Sequence, residues 1–286
     1  MRMATLRLAG GSPWLSPAIA VAGVAALYAP VVASMADEWA RFPNLSHGFA
    51  IPLIAAYLVW ARWDRLAQIP VGSSPLGLPL AVLGLAMLVM GSLVGEPFLA
   101  RVSLPVTLVG TLLFLAGAPA TRQLWIGVAY LVFMIPLPYV TLRDVTYQSR
   151  LFDAAVTAEA LRWLGVPVLR EGVMLHLANM TLEVADECSS IPAVAALVAL
   201  GAAYAQINPR PTWVRVLLVL AAAPLGLASN IVRLVLTSLG AYYLGRIALE
   251  NVIHKFNGTS VFLLTVVLLI VLDGALMSLW RRRRRS

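Results

Sequence analysis

The sequence is poor in charged residues and almost free of cysteine. Of its 286 residues only 12% are charged and 60% are hydrophobic, and Cys188 is its one cysteine. Soluble domains average about 25% charged and about 45–50% apolar residues, so this composition excludes an ordinary soluble domain and a disordered tail. One cysteine cannot form an internal disulfide framework or a multi-cysteine zinc site.

Several motifs that mark other classes of protein are also missing. The chain has no glycine-rich phosphate loop and no pair of histidines at metal-binding spacing. Ser189 and Ser190 are candidate nucleophiles, yet no Gly-x-Ser-x-Gly pattern surrounds them. The net charge of +8 comes from basic residues spread over separate short loops, unlike the concentrated patch of a nucleic-acid-binding protein. We therefore expect no metal, no cofactor and no nucleic-acid partner.

The sequence does contain apolar runs long enough to cross a membrane. A spanning helix needs about 20 apolar residues, because about 30 Å of hydrocarbon is covered at about 1.5 Å per residue. The predicted fold class is an all-α polytopic membrane protein with about eight transmembrane helices, an outer amphipathic helix and a small β-hairpin. The eight stretches are roughly 17–35, 47–61, 76–94, 102–118, 124–141, 189–207, 213–232 and 259–280.

Basic residues are distributed unevenly over the loops between these runs. With both termini placed inside, the inner side carries twelve of the 21 Lys and Arg residues, Arg281–Arg285 among them, and one acid, Asp64. The outer side then carries nine basic residues and eleven of the 13 acids, and Asp273 lies within the last span. Because an excess of Lys and Arg marks the cytoplasmic loops, both termini are predicted to be cytoplasmic.

We expect a single membrane domain over residues 1–286. Its predicted parts are five N-terminal spans over 17–141, an extracytoplasmic segment over 142–187, three C-terminal spans over 188–280 and a cytoplasmic basic tail over 281–286.

The extracytoplasmic segment has two patterns. Residues 143–164 predict an amphipathic helix at the membrane interface, with Phe152 on an apolar side and Arg150, Asp153 and Thr157 on a polar side. The period then changes to two over 173–184, which predicts a β-hairpin that leads directly to Glu187 and Cys188.

Cys188 lies at the predicted N-terminus of the sixth span. Backbone N–H groups and the helix dipole at that position favour a thiolate. A small buried hydrophobe is the commoner role of a free cysteine. The nearby acids Glu183, Asp186 and Glu187 oppose a thiolate unless they point away or pair with a cation.

Two further residues are predicted to lie on the same membrane face. Arg233 is at the outer end of the seventh span, with Asn230 three residues earlier on the same helix face, and His254 precedes the last span. A thiol nucleophile, an imidazole base and a fixed cation are the groups that acyl transfer needs. Snorkelling for Arg233 and simple solvation for His254 are the structural alternatives.

Other ionisable residues leave alternatives open. His47 at the outer end of the second span is either substrate-facing, a second catalytic group or a helix cap with Ser46, and His176 is a candidate strand-surface residue. Asp273 is a candidate for an ion path. The rival functional classes are a non-enzymatic transporter or scaffold for polysaccharide export, and an intramembrane protease that only hydrolyses.

Five short motifs, in this order and with similar spacing, resemble the exosortase/archaeosortase family over residues of about 40 to 270. They are Ser46-His-Gly-Phe, Gly165-Val-Pro-Val-Leu-Arg-Glu-Gly172, Leu182-Glu-Val-Ala-Asp-Glu-Cys-Ser-Ser-Ile, Asn230-Ile-Val-Arg233 and His254-Lys-Phe-Asn-Gly258. The resemblance implies a polytopic cysteine protease or transpeptidase of the bacterial inner membrane, with its active site on the extracytoplasmic face. It identifies Cys188 as the nucleophile and Arg233 and His254 as the other catalytic residues.

The resemblance also implies the partners. Its substrates are exported proteins whose C-terminal sorting tail has a short motif such as Pro-Glu-Pro, one membrane helix and a basic cluster, and such systems often accompany exopolysaccharide production. Asn230, His47 and Glu187 are the expected substrate-binding residues, with Arg170, Glu171 and Glu183 as further candidates. Ser190 and Pro192 stand where many exosortases have glycine and a basic residue, so the sorting motif stays open.

Overall fold

The computed structural model describes residues 14–207, 210–245, 247 and 251–283, and within these it leaves the side chains of 43–44, 139–142, 187, 251–258 and 283 undescribed. The described chain is mostly helical. The helices are α1 Leu15–Leu27, α2 Ala29–Arg41, α3 Ala50–Trp60, α4 Trp63–Ala67, α5 Gly77–Val94, α6 Pro97–Tyr130, α7 Tyr139–Trp163, α8 Ser190–Ile207, α9 Thr212–Leu244 and α10 Asn251–Arg283. Short 3₁₀ turns cover Pro43–Phe49, Leu131–Met134 and Asp186–Cys188.

Five elements in the described residues are long and apolar enough to cross a membrane, which confirms the polytopic all-α fold class. They are Gly77–Val94, Pro97–Met134, Ser190–Ile207, Thr212–Leu244 and Thr259–Arg282. The pair α1 and α2, bent by 58°, makes a sixth if it counts as one span. The apolar helix over Leu45–Trp60 is shorter, and at about 1.5 Å per residue it falls short of the hydrocarbon thickness.

One part of the difference from the expected eight spans comes from α6. The predicted spans 102–118 and 124–141 fall on one element, Pro97–Met134. Its two helical segments meet at Gly117, whose φ of 81° and ψ of 172° are not helical, and Pro119 follows two residues later. Glycine takes this positive φ without a steric penalty, so the chain changes direction there without a loop.

By its internal contacts the chain forms two compact units, residues 1–42 with 46–136 and residues 43–45 with 137–286. In the first unit α5 packs closely against α6. A Cβ atom on Gly77 would lie 2.1 Å from the Phe114 nitrogen, and one on Gly91 would lie 2.6 Å from the Ala100 nitrogen. Gly77 and Gly91, with Gly84 seven residues from each, therefore let the two backbones touch, as at other helix contacts inside membranes.

In the second unit α8, α9 and α10 pack around a core that includes Leu197, Leu218, Ala222 and Leu269. Helix α7 and the small sheet pack on α9 through a second cluster of buried apolar residues: Leu161, Val166, Leu177 and Ala241. This unit contains every residue of the segment from α7 to α10, and so it positions Cys188, Asn230 and Arg233.

The predicted helix and the predicted hairpin in the segment before α8 are both present, with one addition. The predicted helix is α7, and the predicted hairpin is the antiparallel pair of β2, Met174–Leu177, and β3, Thr181–Glu183. A strand that the sequence analysis did not predict, β1 over Val168–Glu171, pairs with β2 and completes a three-stranded sheet in the order β1-β2-β3. Three of its four residues are exposed, so β1 lacks the alternation of apolar and polar residues that marks a half-buried strand.

The orientation of α7 differs from the amphipathic prediction. Asp153 and Thr157, assigned to its polar side, are 0% exposed, whereas Phe152 on its apolar side is 49% exposed. Its polar side therefore faces the interior of the unit. The physical reason is that this interior has hydrogen-bond donors for the carboxylate, which a count of apolar residues on one helix does not reveal.

Candidate active site around Cys188

Cys188 is held in a tight turn between the sheet and α8. It closes the 3₁₀ turn Asp186–Cys188, two residues before α8 begins at Ser190. The Cys188 N–H donates to the carbonyl of Ala185 at 2.9 Å, and the Ser189 N–H donates to the carbonyl of Asp186 at 3.2 Å. The half-buried thiol thus lies next to a helix start, as the sequence predicts.

The first residue of α8 is capped from another helix. The buried carboxylate of Asp153 on α7 accepts hydrogen bonds from the Ser190 N–H at 2.7 Å and from the Ser190 Oγ at 2.5 Å. The Ser149 hydroxyl donates to the same carboxylate at 3.3 Å. A negative group here satisfies a backbone donor that a helix start otherwise leaves open.

Asn230 joins α9 to the same place. Its Nδ2 donates to the carbonyl oxygen of Cys188 at 2.8 Å and lies 3.3 Å from both Asp153 Oδ2 and Ser190 Oγ. Asn230 is only 2% exposed, so these contacts are shielded from solvent. Three helices thus converge on the peptide that carries the thiol.

The environment of Asp153 perturbs its ionisation. Burial raises the pKa of Asp153 above its ordinary value, and the hydrogen bonds from Ser190, Ser149 and Asn230 oppose that rise. All these partners donate to the carboxyl group, an arrangement suited to the ionised form. Asp153 was not predicted from the sequence as a residue of the site. The one feature of the sequence that could have indicated it is an acid next to the apolar face of a helix.

A cation pairs with the acids that precede Cys188. The Arg150 guanidinium, also on α7, lies 2.7 Å from Glu183 Oε1 and 2.7 Å from Asp186 Oδ1, and its Nε donates to the carbonyl of Val184. Two of the three acids that oppose a thiolate at Cys188 are therefore paired with Arg150, whose single positive charge offsets one of their two negative charges. The structure thus meets the condition that the sequence analysis set for these two acids.

The turn leaves few backbone donors for a reaction intermediate. The N–H groups of Cys188, Ser189 and Ser190 all donate within the protein, to Ala185, Asp186 and Asp153 respectively. An oxyanion hole in this turn would have to break one of these bonds.

The structure describes the other candidate residues from the sequence to different extents. Arg233 is half-buried on α9, three residues after Asn230 and so about 4.5 Å further along the helix axis. His254 lies in α10, but its side chain and that of Glu187 fall outside the described part. His47 lies in the other compact unit, half-buried in the turn Pro43–Phe49. The structure therefore brings Cys188 and Asn230 into contact and leaves the roles of the other residues as predictions.

The candidates on the sheet have local partners. His176 contacts the Thr181 hydroxyl through Nδ1 at 2.9 Å, and its Nε2 lies 3.4 Å from the Glu171 carboxylate. Arg170 is exposed and donates to the carbonyl of Gly172 at 3.0 Å. Within the described residues, no group of three His, Cys, Asp or Glu side chains is arranged to hold a metal ion.

Asp273, the candidate for an ion path, is part of a buried ion pair. The Arg210 guanidinium contacts both of its carboxylate oxygens, at 2.7 Å and 2.6 Å, and the Tyr204 hydroxyl donates to it at 3.0 Å. Arg210 also stacks over the Tyr204 ring, 4.5 Å from its centroid. The Asp273 carboxylate would have to bind the ion if the protein were a transporter. Its bidentate pairing with Arg210 favours a structural role instead.

We expect Asp273→Asn to lower the free energy of unfolding by about 2 kcal/mol, because it leaves the Arg210 charge buried without a counter-ion. Denaturation of the purified protein in detergent measures this, and Ser278→Ala, an exposed position on the same helix, is the control. An unchanged denaturation midpoint together with a loss of function would contradict the structural role and favour an ion path.

Comparison with known proteins places the chain in a family. A search of the curated proteins found no match, and neither did a search of the solved structures. The family model described as transmembrane exosortase matches residues 39–271, well over half of the chain, and this match includes Cys188, Asn230, Arg233 and His254. The chain therefore belongs to the transmembrane exosortase family.

Proposed function

We propose that this exosortase-family membrane protein is a cysteine transpeptidase. It cleaves the C-terminal sorting tail of exported proteins through a Cys188 thioester and transfers the new C-terminus to an acceptor. Family membership supports this proposal. The observation that carries it is the 2.8 Å hydrogen bond from Asn230 to the Cys188 carbonyl, because it joins the cysteine motif to the Asn-x-x-Arg motif of α9.

The proposed reaction has two halves with a thioester between them. The Cys188 thiolate adds to the scissile carbonyl, an S–C bond forms and the carbonyl oxygen becomes an oxyanion. Collapse of this intermediate breaks the C–N bond, and the leaving amine takes a proton from the His254 imidazolium. An acceptor amine or hydroxyl then gives its proton to His254, attacks the thioester and releases the thiolate.

Arg233 is the proposed oxyanion stabiliser. The three backbone amides of residues 188–190 are engaged within the protein, which favours a side-chain cation as the charge complement. Arg233 is on the helix whose Asn230 already contacts the Cys188 peptide. In this proposal Asn230 holds the cysteine peptide, while His47 and Glu187 contact the substrate.

The proposed location is the bacterial inner membrane, with both termini in the cytoplasm and Cys188 at the extracytoplasmic face. The cluster of five arginines over Arg281–Arg285, directly after the last span, supports a cytoplasmic C-terminus. A substrate with one membrane helix and a cytoplasmic basic cluster then presents its short motif at the same membrane face as Cys188. The helix of the substrate docks against the apolar outer surface of the bundle, in the plane of the bilayer.

The test is chemical capture of the thioester. The full chain in lipid vesicles is incubated with a tagged protein that ends in a Pro-Glu-Pro motif, a membrane helix and an Arg cluster, with and without hydroxylamine. We expect the released protein to end in a hydroxamate when hydroxylamine is present, because a thioester is readily attacked by it. Mass spectrometry of the new C-terminus measures this.

Two controls sharpen the result. A substrate whose Pro-Glu-Pro is replaced by three alanines shows whether the motif is read, and protein alkylated beforehand with iodoacetamide shows whether the one thiol is needed. Cleavage that yields only a carboxylate, even with hydroxylamine, would favour an enzyme that only hydrolyses. Absence of cleavage with every sorting motif tried, while the protein stays folded, would favour a transporter or scaffold.

A further inference from the structure

The proposed reaction leaves one buried charge without a task. Asp153 is 0% exposed, and an isolated carboxylate in such a site is costly unless it is well hydrogen-bonded. Its partners come from three helices: Ser149 of α7, Ser190 of α8 and Asn230 of α9. A carboxyl group buried at this cost, next to the peptide of the candidate nucleophile, calls for a physical reason.

We propose that Asp153 is a positioning residue for Cys188. Its carboxylate, acting through Ser190 and Asn230, fixes the peptide that carries the thiol against the start of α8. This inference rests on the proposed function, in which Cys188 is the nucleophile. Asp153 itself contacts neither the substrate nor the reacting atoms.

The hydrogen-bond geometry gives two routes from Asp153 to Cys188. Along the chain, the N–H and the Oγ of Ser190 donate to the two carboxylate oxygens of Asp153, which restrains the residue two positions after Cys188. Through space, the Asn230 amide faces Asp153 Oδ2 and the Cys188 carbonyl together. An amide nitrogen has two hydrogens, and an anionic acceptor for one of them orients the other toward the cysteine peptide.

The same helix holds the other side of the turn. Arg150, three residues before Asp153 on α7, contacts Glu183, Asp186 and the Val184 carbonyl. Residues three apart lie on one helix face. One face of α7 therefore holds the chain on both sides of Cys188, with a cation before the thiol and an anion after it.

A purely structural cap makes a different prediction from a positioning residue. If Asp153 only stabilised α8, its loss would lower the fraction of folded protein and leave the turnover of each folded molecule unchanged. If it positions the thiol, the folded molecules turn over more slowly, because a small displacement of the nucleophile from the attack geometry costs up to about 100-fold in rate. Substrate binding changes little in that case, since Asp153 does not contact the substrate.

The experiment uses the full chain in lipid vesicles and compares Asp153→Asn with Thr157→Val. Both replacements keep the side-chain shape, and both positions are 0% exposed on α7. The Thr157 hydroxyl has no hydrogen-bond partner within the described part of the chain. We expect Asp153→Asn to lower kcat by about 10–100-fold with KM within about twofold, and Thr157→Val to leave both within about twofold.

A second pair of variants tests the same inference if Asp153→Asn does not fold. Ser190→Ala removes the Oγ that donates to Asp153, and Ser189→Ala removes a neighbouring buried hydroxyl that has no partner among the described residues. We expect Ser190→Ala to lower kcat by about threefold or more and Ser189→Ala to leave it unchanged. Because Cys188 is the only cysteine, its rate of alkylation by iodoacetamide in folded protein reports the same displacement without a substrate.

The outcomes separate this inference from the proposed function. Equal kcat values for the members of each pair, with normal alkylation of Cys188, would overturn the positioning role while processing continues. A fall in activity that matches the fall in folded protein would overturn it as well. If Cys188→Ala itself processes the substrate normally, the proposed function fails, whatever Asp153 does.

Discussion

Cys188→Ala is expected to reduce processing by at least about 1,000-fold, because it removes the only group in the proposed mechanism that forms a covalent bond to the substrate. The neighbouring hydroxyls do not replace it. The Ser190 Oγ is tied to Asp153 at 2.5 Å, and the Ser189 side chain is 1% exposed. Cys188→Ser puts a hydroxyl oxygen in place of the sulfur, but a hydroxyl is far harder to ionise than a thiol, so the residual rate is expected to stay low.

The measurement is the rate of release of the tagged substrate, normalised to the folded variant in the membrane. Ser189→Ala is the matched control, since it removes one atom from the adjacent residue and leaves the turn's backbone hydrogen bonds intact. Normal processing by folded Cys188→Ala would refute the nucleophile assignment. The function would then depend on other residues, as expected for a transporter or a scaffold.

Arg233→Gln is expected to lower kcat by about 100–1,000-fold with little change in KM, the effect of removing a donor that acts on the oxyanion. The expected fall in kcat is large because the backbone amides in the Cys188 turn already have hydrogen-bond partners. The backbone amides of residues 188–190 all donate within the protein, so in the proposed mechanism the side-chain cation is the donor to the oxyanion. Arg233→Lys keeps the charge but loses the planar fork of donors. Its kcat is therefore expected to lie between that of the unchanged protein and that of Arg233→Gln.

Arg162→Gln is the control for a general loss of positive charge. Arg162 is an exposed residue of α7 in the same unit and forms a local surface ion pair with Glu159, three residues before it. Such pairs contribute little to stability, so this variant is expected to process normally. An Arg233→Gln enzyme with unchanged kcat would show that the oxyanion is stabilised elsewhere, and the turn's hydrogen bonds would then have to open during the reaction.

The sequence predicted the parts of the candidate site that follow a local pattern. The period-two alternation over 173–184 gave the β2–β3 hairpin, and the apolar run after Cys188 predicted that a helix begins there. Both follow from contacts between residues close in the chain, where periodicity and helix-start signals carry information. The strand β1 was missed because its residues are largely exposed and show no alternation.

The partners of the Cys188 turn had no such pattern. Asp153 is 37 residues before Ser190 and 77 residues before Asn230, and no period connects positions so far apart. Arg150 shows the same difficulty, since sequence reasoning recognised that the acids before Cys188 needed a cation but could not say which one supplied it. Both residues were assigned to the polar side of an amphipathic helix, whereas in the structure Asp153 is buried and Arg150 pairs with the acids before Cys188.

By itself the sequence determined that this chain is a polytopic membrane protein, that the described spans fall largely within its predicted apolar runs, and that its single cysteine stands at the start of one of them. These conclusions follow from bilayer thickness and composition, which act on contiguous stretches of chain. The tertiary structure alone decided that Asp153, Arg150 and Asn230 hold the cysteine turn and that its backbone amides are occupied. Hydrogen bonds depend on distance and direction between specific atoms, and only the packing of α7, α8 and α9 sets those.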